Sequence, residues 1–340
     1  MAAAVPKEHS SVQSANPAGA SDLAKVVAST GVRARHIAPP QVCTSDLCAA
    51  AAQRLLEKLS WAADSIDLLI FVTQTPDYVL PATACSLHDR LGLPKTCAAF
   101  DLNLGCSGYV YGLSVAAVHM QAGAARRVLL LVGDTISKIV SPEDRSVAYL
   151  FGDAGSATAL EASSGAPAMH FLTGSDGTGA GFLQVPAGMF RTPSSAETKI
   201  GRPRENGNVR SDEQLHMNGP EIFNFTIREV PRLITETLQA CQWRAEEVDG
   251  FVLHQANRYM LDYLAKRMKL PAEKVVLALE GYGNTSSASI PLAICAQLRD
   301  RLSQGRARLV FAGFGVGFSW ASAGVEVDCP HIEPVISFVG

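Results

Sequence analysis

Residue types able to do covalent chemistry stand out at three places in the 340-residue chain: Cys106 in DLNLGCSGYVYG, His254 in FVLHQAN and Asn284 in GYGNTSSAS. A cysteine thiolate is a good nucleophile toward a carbonyl carbon and a competent leaving group, so it can hold an acyl group as a covalent intermediate. A neutral imidazole and a carboxamide each donate a hydrogen bond to a developing negative oxygen without any change of charge. Taken singly, the three carry little. Most cysteines are buried structural residues, a histidine at a strand end is usually a satisfied core residue, and an asparagine after glycine is usually a turn. Their settings make them candidates. Cys106 follows the strand-like run TCAAFDLNL and precedes the small, apolar helical run YVYGLSVAAVHMQAG, which puts it on a sharp strand-to-helix turn. There the helix's partial positive charge is expected to favour thiolate over thiol. The flanking glycines permit a tight turn and leave room for a substrate carbonyl. His254 and Asn284 fall at strand ends in the second half of the chain, where open α/β sheets place ligands.

The elements that must position these groups read as an internal duplication. Residues 66–73 (IDLLIFVT) and 126–134 (RRVLLLVGD) are continuous apolar runs, the signature of strands buried on both faces. Ser45 is expected to cap the helix SDLCAAAAQRLLEKL. Residues 1–5 suggest a short edge strand stopped by Pro6, the rest of 1–30 is poorly patterned, and 30–38 is a basic, turn-like segment. The second half repeats the order: 248–254 (VDGFVLH) matches IDLLIFV, 275–298 matches the strand, turn and helix around Cys106, and 307–320 matches RRVLLLVGD. Strands alternating with helices predict an α/β fold with mainly parallel sheets covered by helices. The Ala/Gly-rich helices after Cys106 and Asn284 lack a polar face and are expected between the two sheets, with their N-terminal ends meeting. The halves are taken as 1–165, carrying the cysteine, and 166–340, carrying histidine and asparagine. A polar, Pro/Gly/Ser-rich excursion at 186–214 reads as a surface loop or a lid.

Composition narrows the class of function. Hydrophobic content of 47% with 18% charge is globular, and a net charge of −3 gives no general reason to expect nucleic acid or a membrane surface as partner. No apolar run is long enough to span a bilayer, and the N-terminus lacks the pattern of a secretory signal, so the expected location is the cytoplasm. Eight cysteines show no CxxC pair and no zinc-like spacing with histidine, so no metal site is expected and the thiols should be free. Cys43 and Cys48 read as core residues.

In its order of motifs the chain closely resembles the β-ketoacyl-acyl-carrier-protein synthase III family, of the thiolase fold. The resemblance runs through TGVRARHIA, PATACSLHDRLGL, FDLNLGCSGYVYGLS, the DR…LFGDAGSA segment, HMNGPEIF, VLHQAN, YGNTSSASIPLA and FGVGFSW. It implies a duplicated thiolase-like fold layered α-β-α-β-α, a homodimer, and no cofactor beyond an acyl-CoA thioester and acyl-carrier protein as substrates. By the same resemblance Cys106, His254 and Asn284 form the catalytic triad, and the backbone N–H groups of Cys106 and Val316 form the oxyanion hole. His254 and Asn284 would donate to the enolate oxygen left by decarboxylation of malonyl-carrier protein, in a pathway of fatty acid biosynthesis. Arg145, Asn257, Gly219 and Phe223 fall on substrate-contacting positions, and Arg258, Lys266 and Arg267 on a carrier-protein patch. Leu80 stands where the family typically carries the partner-subunit phenylalanine that limits acyl length, which implies room for chains longer than acetyl.

Departures from the pattern lie around the substrate rather than at the sulfur. Lys25 and Ser29 replace the tryptophan and arginine that flank the CoA adenine, Pro220 replaces an asparagine, and Tyr259 replaces a carrier-contacting arginine. Val316 replaces a glycine, which leaves its backbone donor intact. Rival functions are an acyltransferase to an oxygen or nitrogen nucleophile, or a specialised ketosynthase of secondary metabolism or surface polysaccharide synthesis. A Cys-His-Asn hydrolase shares the chain order but lacks its CGSCW-type signature here. A degradative thiolase would need a second cysteine in FGVGFSW.

Overall fold

The continuous apolar runs fold as strands covered on both faces. The computed structural model describes residues 1–12, 20–328 and 330–340, without the side chains at 20–23 and 206; Cys329 lies outside the described residues. The first sheet contains β1 (Ala2–Pro6), β2 (Leu68–Val72), β3 (Ala98–Leu102), β4 (Arg127–Asp134) and β5 (Ala154–Glu161). The second contains β6 (His170–Ser175), β7 (Gly250–Leu253), β8 (Arg306–Gly315) and β9 (Ser319–Asp328), and β10 (Ile336–Phe338) returns to the first. The spatial orders are β10-β1-β5-β4-β2-β3 and β7-β8-β9-β6.

Four strands of the first sheet, in the order β1-β5-β4-β2, recur in the second as β6-β9-β8-β7. β2 is parallel to β4 as β7 is to β8, and β5 is antiparallel to β4 and β1 as β9 is to β8 and β6. The counterpart of β3 departs from expectation. Val275 forms only an isolated bridge to Phe251, because the chain turns within a few residues into the helical turn Leu279–Tyr282. The expected N-terminal edge strand is likewise an interior one. β1 pairs with β5 on one side and with β10 on the other, and the strand that covers it arrives from the opposite end of the chain, beyond the reach of local pattern.

The helices are α1 (Ala20–Thr30), α2 (Thr44–Leu59), α3 (Thr83–Arg90), α4 (Gly108–Gln121), α5 (Gly219–Cys241), α6 (Arg258–Met268), α7 (Leu279–Tyr282) and α8, a run of 3-10, α and π turns over 286–302. α2 and α3 cover the outer face of the first sheet and α5 covers the second, with α6 against α5. α4 and α8 lie between the sheets, giving the layers α-β-α-β-α. The small residues of α4 permit this: a Cβ at Gly112 would stand 2.7 Å from Leu130 Cδ1 and 3.0 Å from Val72 Cγ2. At Gly108 a Cβ would stand 3.6 Å from Ser287 Cβ, so the two central helices meet at their N-terminal ends, as their composition predicted.

Three local expectations change. The N-cap of α2 is Cys43 rather than Ser45, whose hydroxyl instead donates to Asp77 at 2.7 Å. Residues 9–11 and 34–36, read as unpatterned and turn-like, pair as a short antiparallel ribbon. The 186–214 excursion carries its own ribbon, Arg202–Pro203 against Val209–Arg210, and docks on the 141–145 loop. Arg210 reaches the fully buried Asp144 at 3.0 Å, Ser141 donates to the Val209 carbonyl at 2.7 Å, and the Arg145 N–H donates to Asn208 at 3.0 Å. Among the described residues no helix is long and apolar enough to cross a membrane.

Candidate active site

Cys106 sits on the turn between β3 and α4, closed by the Gly108 N–H on the Gly105 carbonyl at 2.7 Å. The end of β8 presses against it. A Cβ at Gly315 would lie 2.8 Å from Cys106 Cβ and 3.0 Å from its sulfur, so only a bare glycine lets the β8–β9 connection come this close. Backbone hydrogen bonds from Val316 and from Cys106 itself reach the sulfur, joined by the Ser286 side chain. The same two residues are those named for the oxyanion hole.

The ionisation of Cys106 departs from expectation. Burial, and then the nearby Asp134 carboxylate, push the thiol up to about 12, against the helix end and hydrogen bonds that favour thiolate. The resting sulfur is therefore a thiol. Helix position alone predicts the opposite because it ignores desolvation: Cys106 is 7% exposed.

His254 directly follows β7. Its N–H donates to the Ala312 carbonyl at 2.8 Å, its Nδ1 lies 2.7 Å from the Ser289 hydroxyl, and Phe314 packs edge-on against the ring. With 2% exposure, burial drives its pKa down to about 3, so the imidazole is neutral across the physiological range. The sign of the linkage follows. Between pH 6.5 and about 3 the unfolded chain binds a proton here that the folded chain does not, so this group's contribution to stability is lost as pH falls through that window. Thermal melts from pH 7 to 4 should show wild type losing stability more steeply than His254→Gln, by up to about 1.4 kcal/mol per pH unit. Parallel slopes would mean that His254 takes up its proton as readily in the fold as in the unfolded chain.

Asn284 is fixed by backbone and side chain alike. Its N–H donates to Leu150 O at 2.9 Å, and its carbonyl accepts from the Gly152 N–H at 3.0 Å. Oδ1 accepts the Ser286 N–H at 2.9 Å while Nδ2 donates to the Ala256 carbonyl at 3.3 Å, so the amide is oriented. Ser286 thereby stands against all three members: its side chain favours the Cys106 thiolate, its backbone favours a protonated His254, and its N–H donates to Asn284 Oδ1 at 2.9 Å. It adopts φ 50, the left-handed region. Sequence reasoning passed over it as one of several small residues in TSSAS, although a serine run after Gly-Asn at a helix start was the available signal.

The remaining candidates lie farther out. Arg145 is exposed on the loop under the excursion. Asn257 caps α6 through its Oδ1, which accepts the Met260 N–H at 2.8 Å. Gly219 opens α5 with open space beside it, and Phe223, one turn on, packs against Tyr259 and Tyr263 at 5.7 and 5.3 Å between ring centres. Leu80 is 78% exposed. Arg258 is paired with Asp262 at 2.8 Å, so the exposed basic face of α6 rests on Lys266 and Arg267. Among the described residues no group of three His, Cys, Asp or Glu side chains is placed to hold a metal ion.

Gly315→Ala tests the tightness of this packing. The added methyl must displace the sulfur or the β8 end, and a displacement on the order of 1 Å costs about 10²-fold in rate. Adduct formation with acyl-CoA, followed by intact protein mass, should slow by that factor with circular dichroism unchanged. A wild-type rate would show that the sulfur has slack.

Comparison with known proteins agrees with this geometry. The family model for 3-oxoacyl-[acyl-carrier-protein] synthase III matches residues 100–177, and the model for its C-terminal part matches 238–327. The chain is 36% identical over 301 residues to a β-ketoacyl-[acyl-carrier-protein] synthase III of Caldanaerobacter subterraneus subsp. tengcongensis, covering 87% of each. It is 38% identical over 303 residues to one of Desulfitobacterium hafniense, covering 88% of each. Among solved structures it is similar to a 3-oxoacyl-(acyl-carrier protein) synthase from Burkholderia xenovorans LB400, with TM-score 0.93, 48% identity, and coverage of 99% of this chain and 95% of that one. From Cys106 in its glycine turn to the paired sheets that frame it, and by these matches, the chain belongs to the β-ketoacyl-[acyl-carrier-protein] synthase III family of thiolase-fold condensing enzymes.

Proposed function

We propose that Cys106 takes an acyl group from acyl-CoA and that His254 and Asn284 serve the condensation with malonyl-carrier protein. In the first half-reaction the sulfur attacks the thioester carbonyl, and the oxyanion meets the N–H groups of Cys106 and Val316. Collapse expels the CoA thiolate, which leaves with the proton from Cys106. In the second, carbon dioxide departs from the malonyl group and the electron pair moves onto the thioester oxygen, where His254 and Asn284 donate. The carbanion then attacks the acyl-cysteine carbonyl, and collapse expels the Cys106 thiolate, which takes a proton from solvent to restore the resting thiol. The observation that carries this reading is that Ser286 joins thiol, imidazole and carboxamide in one dry pocket. A neutral imidazole is the form that donates without adding a buried charge.

Phe223, Asn257, Gly219 and Arg145 would line the approach of the pantetheine and nucleotide, and Lys266 and Arg267 would meet the acidic carrier protein. Leu80 would enter the partner's pocket in a homodimer. Its exposure beside exposed Val79, and the single-sided pairing of β3, support that assembly. The chain would work in the cytoplasm without a cofactor, its halves meeting near residue 165. Competition among acetyl-, medium- and long-chain CoA thioesters and acyl-carrier proteins, read by protein mass, tests the donor. An adduct from acyl-CoA supports the reading, whereas labelling only by acyl-carrier protein would overturn the choice of donor.

A further inference from the structure

Asp134 ends β4 and is fully buried, yet none of the chemistry above uses it. Its Oδ1 accepts from the Gln74 N–H at 2.7 Å and the Thr73 hydroxyl at 3.1 Å. Its Oδ2 accepts from the Ser287 hydroxyl at 2.6 Å and the Ser287 N–H at 3.2 Å. These partners belong to different parts of the pocket. The Gln74 side chain fills the space beside Gly105, where Val316 Cγ1 also closes in, so it backs the turn that carries Cys106. Ser287 follows Ser286 and lies three residues after Asn284, at the start of α8.

Each carboxylate oxygen receives a backbone N–H, and a backbone N–H can only donate. An amide nitrogen at either place has no lone pair to offer and would set hydrogen against hydrogen, so asparagine cannot reproduce these contacts although it matches the carboxyl in shape. The Thr75 hydroxyl adds a longer contact to Oδ1 at 3.4 Å, and all of these donors are neutral. A buried carboxylate held by neutral donors is an expensive way to fill space, since desolvation opposes it and an apolar side chain would not incur that cost.

We propose that Asp134 is a positioning residue that sets the distance between the Cys106 turn and the Asn284–Ser286 segment across the two sheets. The inference rests on the catalytic roles proposed above. One carboxylate group holds both sides of the pocket, so loss of either oxygen's contacts frees one side to drift. The consequence falls on the step that needs both sides at once, in which the carbanion formed at His254 and Asn284 must reach the acyl group on Cys106.

Full-length Asp134→Asn and Ser287→Ala test this. Condensation of acyl-CoA with malonyl-carrier protein should fall about 10²-fold in Asp134→Asn. In Ser287→Ala, which removes one hydroxyl donor and keeps the charge, it should fall about 10-fold. In both the loss should sit in kcat, with kcat/KM for acyl-CoA unchanged and adduct formation on Cys106 close to wild type. A residue that merely supports the fold would lower thermal stability and leave kcat of the folded fraction alone. If Asp134→Asn does not fold, Ser287→Ala decides alone. Wild-type kcat in the folded variants, alongside an inactive Asn284→Ala, would overturn the role of Asp134 while leaving the catalytic assignment intact. Wild-type kcat in Asn284→Ala as well would overturn both.

Discussion

Cys106→Ala should form no acyl adduct. Incubated with acyl-CoA, the wild-type protein should gain the mass of one acyl group, and the alanine variant should keep its own mass. Condensation should fall by on the order of 10⁴-fold or more, because removing a nucleophile leaves only the oxyanion donors and binding to act. The substitution removes one buried sulfur from a tight turn and leaves the α4 start and the β8 contact in place, so the fold should persist. The other described cysteines serve as internal controls. Cys48, Cys97 and Cys295 are buried with thiols pushed up to about 12, 11 and 12, and none shares the Val316 and Ser286 hydrogen bonds. Cys85 is exposed and would be the first to react non-specifically. An adduct that persists in Cys106→Ala would place the acyl group elsewhere.

The second large effect separates the half-reactions. His254→Ala and Asn284→Ala should each retain adduct formation yet lose about 10²–10³-fold in decarboxylation of malonyl-carrier protein, the usual range for one donor to a developing oxyanion. The geometry of Asn284 sharpens the test. Asn284→Asp keeps the acceptor for the Ser286 N–H but replaces the donor with a carboxylate oxygen, which then faces the Ala256 carbonyl and the enolate. It should be at least as impaired as alanine, although it is the closest isostere. Carbon dioxide release from carboxyl-labelled malonyl-carrier protein reads this directly. Equal loss of both half-reactions would mean that these side chains support Cys106 rather than the enolate.

How much of this was legible beforehand depends on distance along the chain. The buried strands and the two small-residue helices followed from patterns within a dozen residues, the duplicated order from their repetition, and Cys106, His254 and Asn284 stood at their ends. What escaped were features set by partners far away in sequence. β1 reads as an edge because β10, which covers it, lies at the other terminus. Residues 9–11 are short, and only pairing with 34–36 makes them a strand. The segment at 275–278 copies the apolar run before Cys106 but bridges at one point only.

At the site, residue types pointed to Cys106, His254 and Asn284 as the proposed nucleophile and its two helpers, whereas the groups that hold them did not announce themselves. Ser286 matters because three contacts converge on it, and nothing in TSSAS distinguishes it from Ser287 or Ser289. Asp134 reads as the polar end of an apolar strand, and its role depends on Gln74 and Ser287 reaching the same carboxylate. The thiol state of Cys106 was misjudged for a related reason. Helix position is visible in a sequence, but the burial that overrides it is a property of the folded pocket.

The central claim is that one sulfur carries the acyl group and passes it to a carbanion made beside it. A single-turnover chase tests it most directly: the protein is loaded with acyl-CoA, freed of excess donor, mixed with malonyl-carrier protein, and followed by intact mass and peptide mapping. The account predicts an adduct on the peptide containing Cys106 that disappears as β-ketoacyl-carrier protein forms in equal amount. An adduct on Cys85 or another thiol, or one on Cys106 that malonyl-carrier protein cannot discharge, would contradict it.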